Sequence, residues 1–123
     1  MKQIRPKNLN LFTIHFPIPA IVSILHRVSG VVLFLLVPFM LWVLELSLTV
    51  SGYDQLQNWL DLFWLKLTLW LLFIPFCFHL LAGIRHLLMD VHVGTSLAGG
   101  RFSAMLTFAM SALIVILVGV WIW

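Results

Sequence analysis

Two short stretches of this chain hold side chains able to do chemistry in an otherwise apolar sequence. SILHR contains Ser23, His26 and Arg27, and HLLAGIRH contains His79, Gly83, Arg85 and His86. On a helix, offsets of four and seven residues return to nearly the same azimuth. His79, Gly83 and His86 therefore share one stripe, with Gly83 an indentation on which a flat group can lie. Ser23, His26 and Arg27, at offsets of three and four, occupy adjacent parts of one face and can share one pocket. An imidazole can ligate a metal, relay a proton or hydrogen-bond a neighbouring helix, while a hydroxyl and a guanidinium bind anionic or electron-rich oxygen.

The elements that must position these groups follow from composition. With 63% hydrophobic and 9% charged residues, the chain has too little polar surface for a water-soluble globule, and it reads as an all-α membrane protein. Its 123 residues allow three spanning helices of ~20 residues each, in a single transmembrane domain without a soluble catalytic domain. The spans are expected at about 20–49, 60–89 and 102–123. Pro17 and Pro19 precede the first, and Pro38 and Pro75 fall inside the first and second, where neighbouring helices can tolerate a mild kink. Residues 51–58 read as a polar connector. A second connector, 90–101, contains Gly94, Gly99 and Gly100, which favour turn geometry over continuous helix. Trp121 and Trp123 suit the headgroup level.

Residues 1–16 lack the apolar core and cleavage site of a signal peptide. Lys2, Arg5, Lys7 and Arg27 lie at the start of the first span, and Arg85 and Arg101 flank the second connector, whereas the first connector has no Lys or Arg. That asymmetry predicts a cytoplasmic N-terminus. It also accounts for the net charge of +3 without a nucleic-acid partner, because the basic residues form no patch interleaved with stacking aromatics. The single cysteine, Cys77, reads as small core filler.

His79 lies eleven residues before Asp90, about 16 Å deep at the helical rise of about 1.5 Å per residue, so it is expected near the bilayer midplane. A metal ion held by this chain alone is a poor fit. His79 has no second histidine at offset three or four, there is no thiolate pair, and Glu45 sits near the opposite end. Haem fits better: its macrocycle suits hydrocarbon, one imidazole supplies an axial bond, and its propionates call for basic donors nearer the cytoplasm, with His26, Arg27 and His86 as candidates. A second axial ligand would come from another chain. On these residues alone other readings stay open. His79 could be an interhelical hydrogen-bonding group, Arg27 and Arg85 could snorkel to anionic lipid headgroups, and His79 with Arg85 could form a proton relay.

Taken together, Arg5-Pro6, the run from Ser23 through His26-Arg27 to Ser29-Gly30, and His79 with Gly83-Ile84-Arg85-His86 and Asp90 resemble the cytochrome b membrane-anchor subunits of succinate dehydrogenase. His92 stands where that family usually has a small residue, with glycine reached only at Gly94. The resemblance implies that His79 is an axial ligand to the iron of haem b, the other ligand coming from a second small anchor subunit. His26 and Arg27 would border the propionates, with His86 beside them. Ser23 and Arg27 would contribute to a ubiquinone site where the iron-sulfur subunit docks, and electrons from succinate would arrive through the flavoprotein and iron-sulfur subunits. The implied location is the bacterial cytoplasmic (inner) membrane, and the chain would catalyse nothing alone. A fumarate reductase anchor is a near relative of this pattern, and a haem-free structural anchor is the competing class.

Overall fold

In the computed structural model, which describes residues 15–123, the chain turns helical immediately after Pro17. Pro17 is extended, at φ −65° and ψ 149°, and serves as the N-cap of α1 (Ile18–Ser47). Pro19 sits in the first turn, where its missing N–H would have had no intrahelical partner. Three further helices follow: α2 (Val50–Leu60), α3 (Phe63–Asp90) and α4 (Leu97–Ile122). No strand occurs among the described residues, and α1, α3 and α4 are each long and apolar enough to cross a membrane. Pro38 and Pro75 lie within α1 and α3 without ending either. The basic N-terminal segment, Arg5-Pro6 included, lies outside the described residues.

Two connectors differ from expectation. Residues 51–58, read as a polar connector, belong to the amphipathic helix α2. Thr49 starts it, its hydroxyl accepting from the Gly52 N–H at 3.1 Å. Its apolar residues Leu56 and Trp59 are half-buried, and Trp59 stacks on Trp42 of α1 with ring centroids 6.1 Å apart. The polar residues between them had obscured the helical period. Helix α4 likewise begins at Leu97, five residues before the expected start, and runs through Gly99 and Gly100. Ser96 caps it by accepting from the Gly99 N–H at 3.0 Å, which outweighs the weak helix propensity of two glycines in the opening turn. The turn between α3 and α4 is real but shorter. His92, where the related family favours a small residue, takes φ 64°, and Gly94 takes φ 71°. The turn thus takes left-handed geometry at a position that carries a side chain.

The interior is thin. Val22 of α1, Phe78 and Ala82 of α3 and Ala104 of α4 form a buried cluster, with Ile18 and Phe108 packed against it. Helix α4 turns a stripe of Ala104, Thr107, Ser111, Val115 and Gly119 inward, and small residues at this spacing let helix backbones approach closely. The hydroxyls on the stripe are satisfied within α4, Thr107 donating to the Ser103 carbonyl at 2.9 Å and Ser111 to the Thr107 carbonyl at 2.7 Å. Trp70 bridges α3 to α4 by donating its indole N–H to the Val115 carbonyl at 2.9 Å. Cys77 is buried beside α4, in keeping with core filler. Large apolar side chains such as Phe34, Leu35, Leu113 and Val120 point outward, the arrangement suited to acyl chains or a companion helix.

Candidate functional site

Helices α1 and α3 cross where the two sequence motifs meet. His79 lies within α3, eleven residues from its end at Asp90, and His26 lies in the third turn of α1. Their imidazoles stack, with centroids 4.2 Å apart and planes inclined by 14°. His86 completes the group, 5.0 Å from His26 and tilted by 46°. The stripe expected on α3 is thus real, and it faces α1. Gly83 does leave an indentation, and the flat group nearest it is the His26 ring, whose Nε2 lies 3.4 Å from where a Gly83 Cβ would stand.

The contacts around His79 fit the tautomer that carries its proton on Nδ1. Nδ1 lies 3.0 Å from the backbone carbonyl oxygen of His26. A carbonyl can only accept, so this contact is a bond when Nδ1 is protonated. The Ser29 hydroxyl lies 3.1 Å from the same nitrogen and donates its own proton to the His26 carbonyl at 2.9 Å, which leaves its lone pairs facing Nδ1–H. Protonation at Nδ1 gives Nε2 the free lone pair, the form of imidazole that ligates a metal. No described residue hydrogen-bonds Nε2. Gly30 makes room for the ring, because a Cβ there would sit 3.0 Å from His79 Cε1. Among the described residues no group of three or more His, Cys, Asp or Glu is arranged to hold a metal ion, and the stacking of the rings shows why: their faces, not their lone pairs, converge. What the donor set does fit is a group needing one imidazole from this chain, as an axially ligated haem does.

The remaining candidates are less enclosed than the spacing suggested. Ser23 is half-buried and Arg27 exposed, one turn apart on α1, so on this chain they form an open surface and do not share a closed pocket with His26. The pronounced cavities lie elsewhere; one of about 430 Å³ opens between α1, α3 and α4 and is lined by Val28, Pro75, Phe108 and Ser111 among others.

Arg85 departs furthest from expectation. It neither snorkels nor faces the histidines. It is 5% exposed, and its Nε donates to the Ser103 hydroxyl at 3.0 Å and its Nη2 to the Gly100 carbonyl at 3.2 Å, both on α4. One residue of offset from His86 turns it by about 100°, enough to aim it at the opposite neighbour. A relay pairing His79 with Arg85 therefore has no geometric basis. Replacing Arg85 with methionine should loosen α3 from α4, by on the order of 1 kcal/mol. Thermal inactivation at a lower temperature with an unaltered optical spectrum would match this placement, whereas a shifted spectrum would place the guanidinium beside a chromophore. Ser29 and Gly30 stand within the motif without a role that spacing alone assigns; the signal in the sequence is a serine three residues after a histidine, positioned to bond back to its carbonyl.

Comparison with known proteins identifies the family to which the sequence is similar. Residues 1–118 match the family model described as succinate dehydrogenase/fumarate reductase transmembrane subunit. The chain is similar to the succinate dehydrogenase cytochrome b556 subunit of Coxiella burnetii, at 46% identity over 121 residues, or 97% of each chain. It is also similar to the proteins of the same description from Rickettsia prowazekii, at 35% identity over 94% of this chain and 91% of the other, and from Paracoccus denitrificans, at 29% over 92% and 88%.

Proposed function

Since the chain belongs to the succinate dehydrogenase/fumarate reductase transmembrane subunit family, we propose that it is the cytochrome b anchor of a succinate:ubiquinone oxidoreductase. In this role it holds one side of haem b and part of the quinone site. It is a multi-pass membrane protein whose basic residues favour a cytoplasmic N-terminus, and its family resemblance favours the bacterial cytoplasmic membrane. The observation that most supports the haem role is the Nδ1–H of His79 held at 3.0 Å from the His26 carbonyl, which presents Nε2 as a ligand. Bound haem would supply a one-electron carrier.

On this chain His79 would hold the haem iron through Nε2, and a second small anchor subunit would supply the other ligand. His26, Arg27 and His86 provide donors for the propionates. Ser23 and Arg27 face a quinone headgroup at the cytoplasmic edge. A guanidinium there stabilises negative charge growing on a quinone oxygen, and a hydroxyl beside water can pass protons inward. The flavoprotein and iron-sulfur subunits deliver electrons from succinate, so the chain has no turnover alone. The cytochrome b556 name carried by its relatives is consistent with this assignment.

Co-expressing the chain with the other three subunits and recording a dithionite-reduced spectrum of the purified complex tests the proposal. Sharp b-type bands at one haem per complex are expected, and an intact complex without haem would favour a purely structural anchor. Gly30 offers a second test. A methyl group there must push the His79 ring by a few tenths of an ångström, whereas one at Gly83 only reaches van der Waals contact with His26. Gly30→Ala should therefore lower haem content several-fold while Gly83→Ala stays near wild type; equal haem in both would separate Gly30 from the ligand.

A further inference from the structure

Ser29 is 5% exposed and links α1 to α3 through a side chain that the quinone and haem roles leave unused. Its one proton is committed to the His26 carbonyl at 2.9 Å, so what it offers His79 is lone-pair density, at 3.1 Å from Nδ1. The Nδ1–H thus lies between two acceptors, the Ser29 hydroxyl and the His26 carbonyl. Acceptors on the far nitrogen of a metal-bound imidazole do two things: they fix the ring's rotation, and they raise the basicity of the ligating nitrogen. A stronger donor favours the ferric state over the ferrous state, which lowers the reduction potential.

We propose that Ser29 is a positioning residue for haem, holding the axial imidazole of His79 in one orientation and setting the potential through the Nδ1–H. The inference rests on His79 being the ligand, as argued above. The His26 carbonyl, the other acceptor, stays in place when the Ser29 side chain is removed, so its loss weakens the arrangement without eliminating it. Haem should remain bound while its electronic character changes.

The test uses the assembled four-subunit complex carrying Ser29→Ala or Ser29→Cys. Cysteine leaves no cavity and is a poor acceptor, so it separates loss of the hydrogen bond from loss of packing. Haem content, a redox titration of the b-type band and the low-temperature electron paramagnetic resonance of the oxidised haem are read for each. Both variants should keep haem and titrate at a higher potential. The expected size is a tenfold change in the ratio of reduced to oxidised haem at a fixed applied potential, about 59 mV for one electron, with shifted g-values reporting the freed ring. Ser29→Thr, which retains a hydroxyl, should return both readings toward wild type. If Ser29→Ala abolishes haem, the cysteine variant decides: a raised potential supports the proposal, and a wild-type potential overturns it in favour of packing. Wild-type potential and g-values in both variants also overturn it, leaving the ligand assignment intact. Failure of the ligand assignment has a separate signature, a wild-type spectrum in His79→Leu.

Discussion

Replacing His79 with leucine in the assembled complex is expected to remove the haem, or to leave it with a high-spin spectrum in place of the wild-type one. Leucine has similar volume and helix propensity, so α3 still forms and packs. What is lost locally is a hydrogen bond to the His26 carbonyl, and interhelical bonds of this kind in membranes are worth on the order of 1 kcal/mol. That is too little to separate α1 from α3, which also meet through Val22 and Phe78. The axial bond to iron has no substitute on this chain, because the nearest imidazoles, those of His26 and His86, are stacked or tilted about one another and are not aimed at a common point. Haem extracted as the pyridine complex and the reduced-minus-oxidised spectrum measure the effect. A wild-type reduced spectrum in this variant would contradict the ligand assignment.

Replacing Arg27 with leucine should have the opposite profile: quinone reduction falls while most of the haem spectrum survives. Arg27 is exposed on α1, and no described residue hydrogen-bonds it, so the substitution leaves the helix contacts untouched. Removing one preorganised donor from developing negative charge lowers turnover by about 10²–10³ in comparable sites. Arg27→Lys keeps the charge and loses the planar fork, and should fall between the two. Steady-state reduction of a short-chain ubiquinone by succinate is the measurement, with succinate oxidation by a soluble electron acceptor as the control for the catalytic subunits. Unchanged quinone kinetics would remove Arg27 from the site.

The long helices were legible because hydropathy and length dictate them, and the stripe of His79, Gly83 and His86 was legible because helical period fixes it. Three features were hidden for distinct reasons. Helix α2 interleaves polar residues with Leu56 and Trp59, so its apolar face is narrow and its polar content mimics a loop. The early start of α4 depends on a cap by Ser96, which overrides the turn preference of Gly99 and Gly100. The direction of Arg85 was hidden because a basic residue near a helix end satisfies the rule for snorkelling equally well whether it reaches headgroups or a neighbouring carbonyl. The stacking of His26 on His79 is a matter of helix crossing, and no periodicity within either helix specifies it. The open surface formed by Ser23 and Arg27 belongs to the same class: a face can be read from spacing, whereas its closure depends on what packs against it.

The guanidinium of Arg85, bonded to Gly100 and Ser103, bears on how the chain enters the bilayer. A lone α3 would have to snorkel that cation toward the headgroups, at a penalty below the 2.5–3.5 kcal/mol known for a central arginine on insertion scales. With α4 alongside, the same group donates to a carbonyl and a hydroxyl. Helices α3 and α4 should consequently leave the translocon as one hairpin, the later helix sheltering the charge of the earlier. Truncation before Leu97 would be expected to leave α3 able to insert but shifted in depth, so that Arg85 reaches the headgroups.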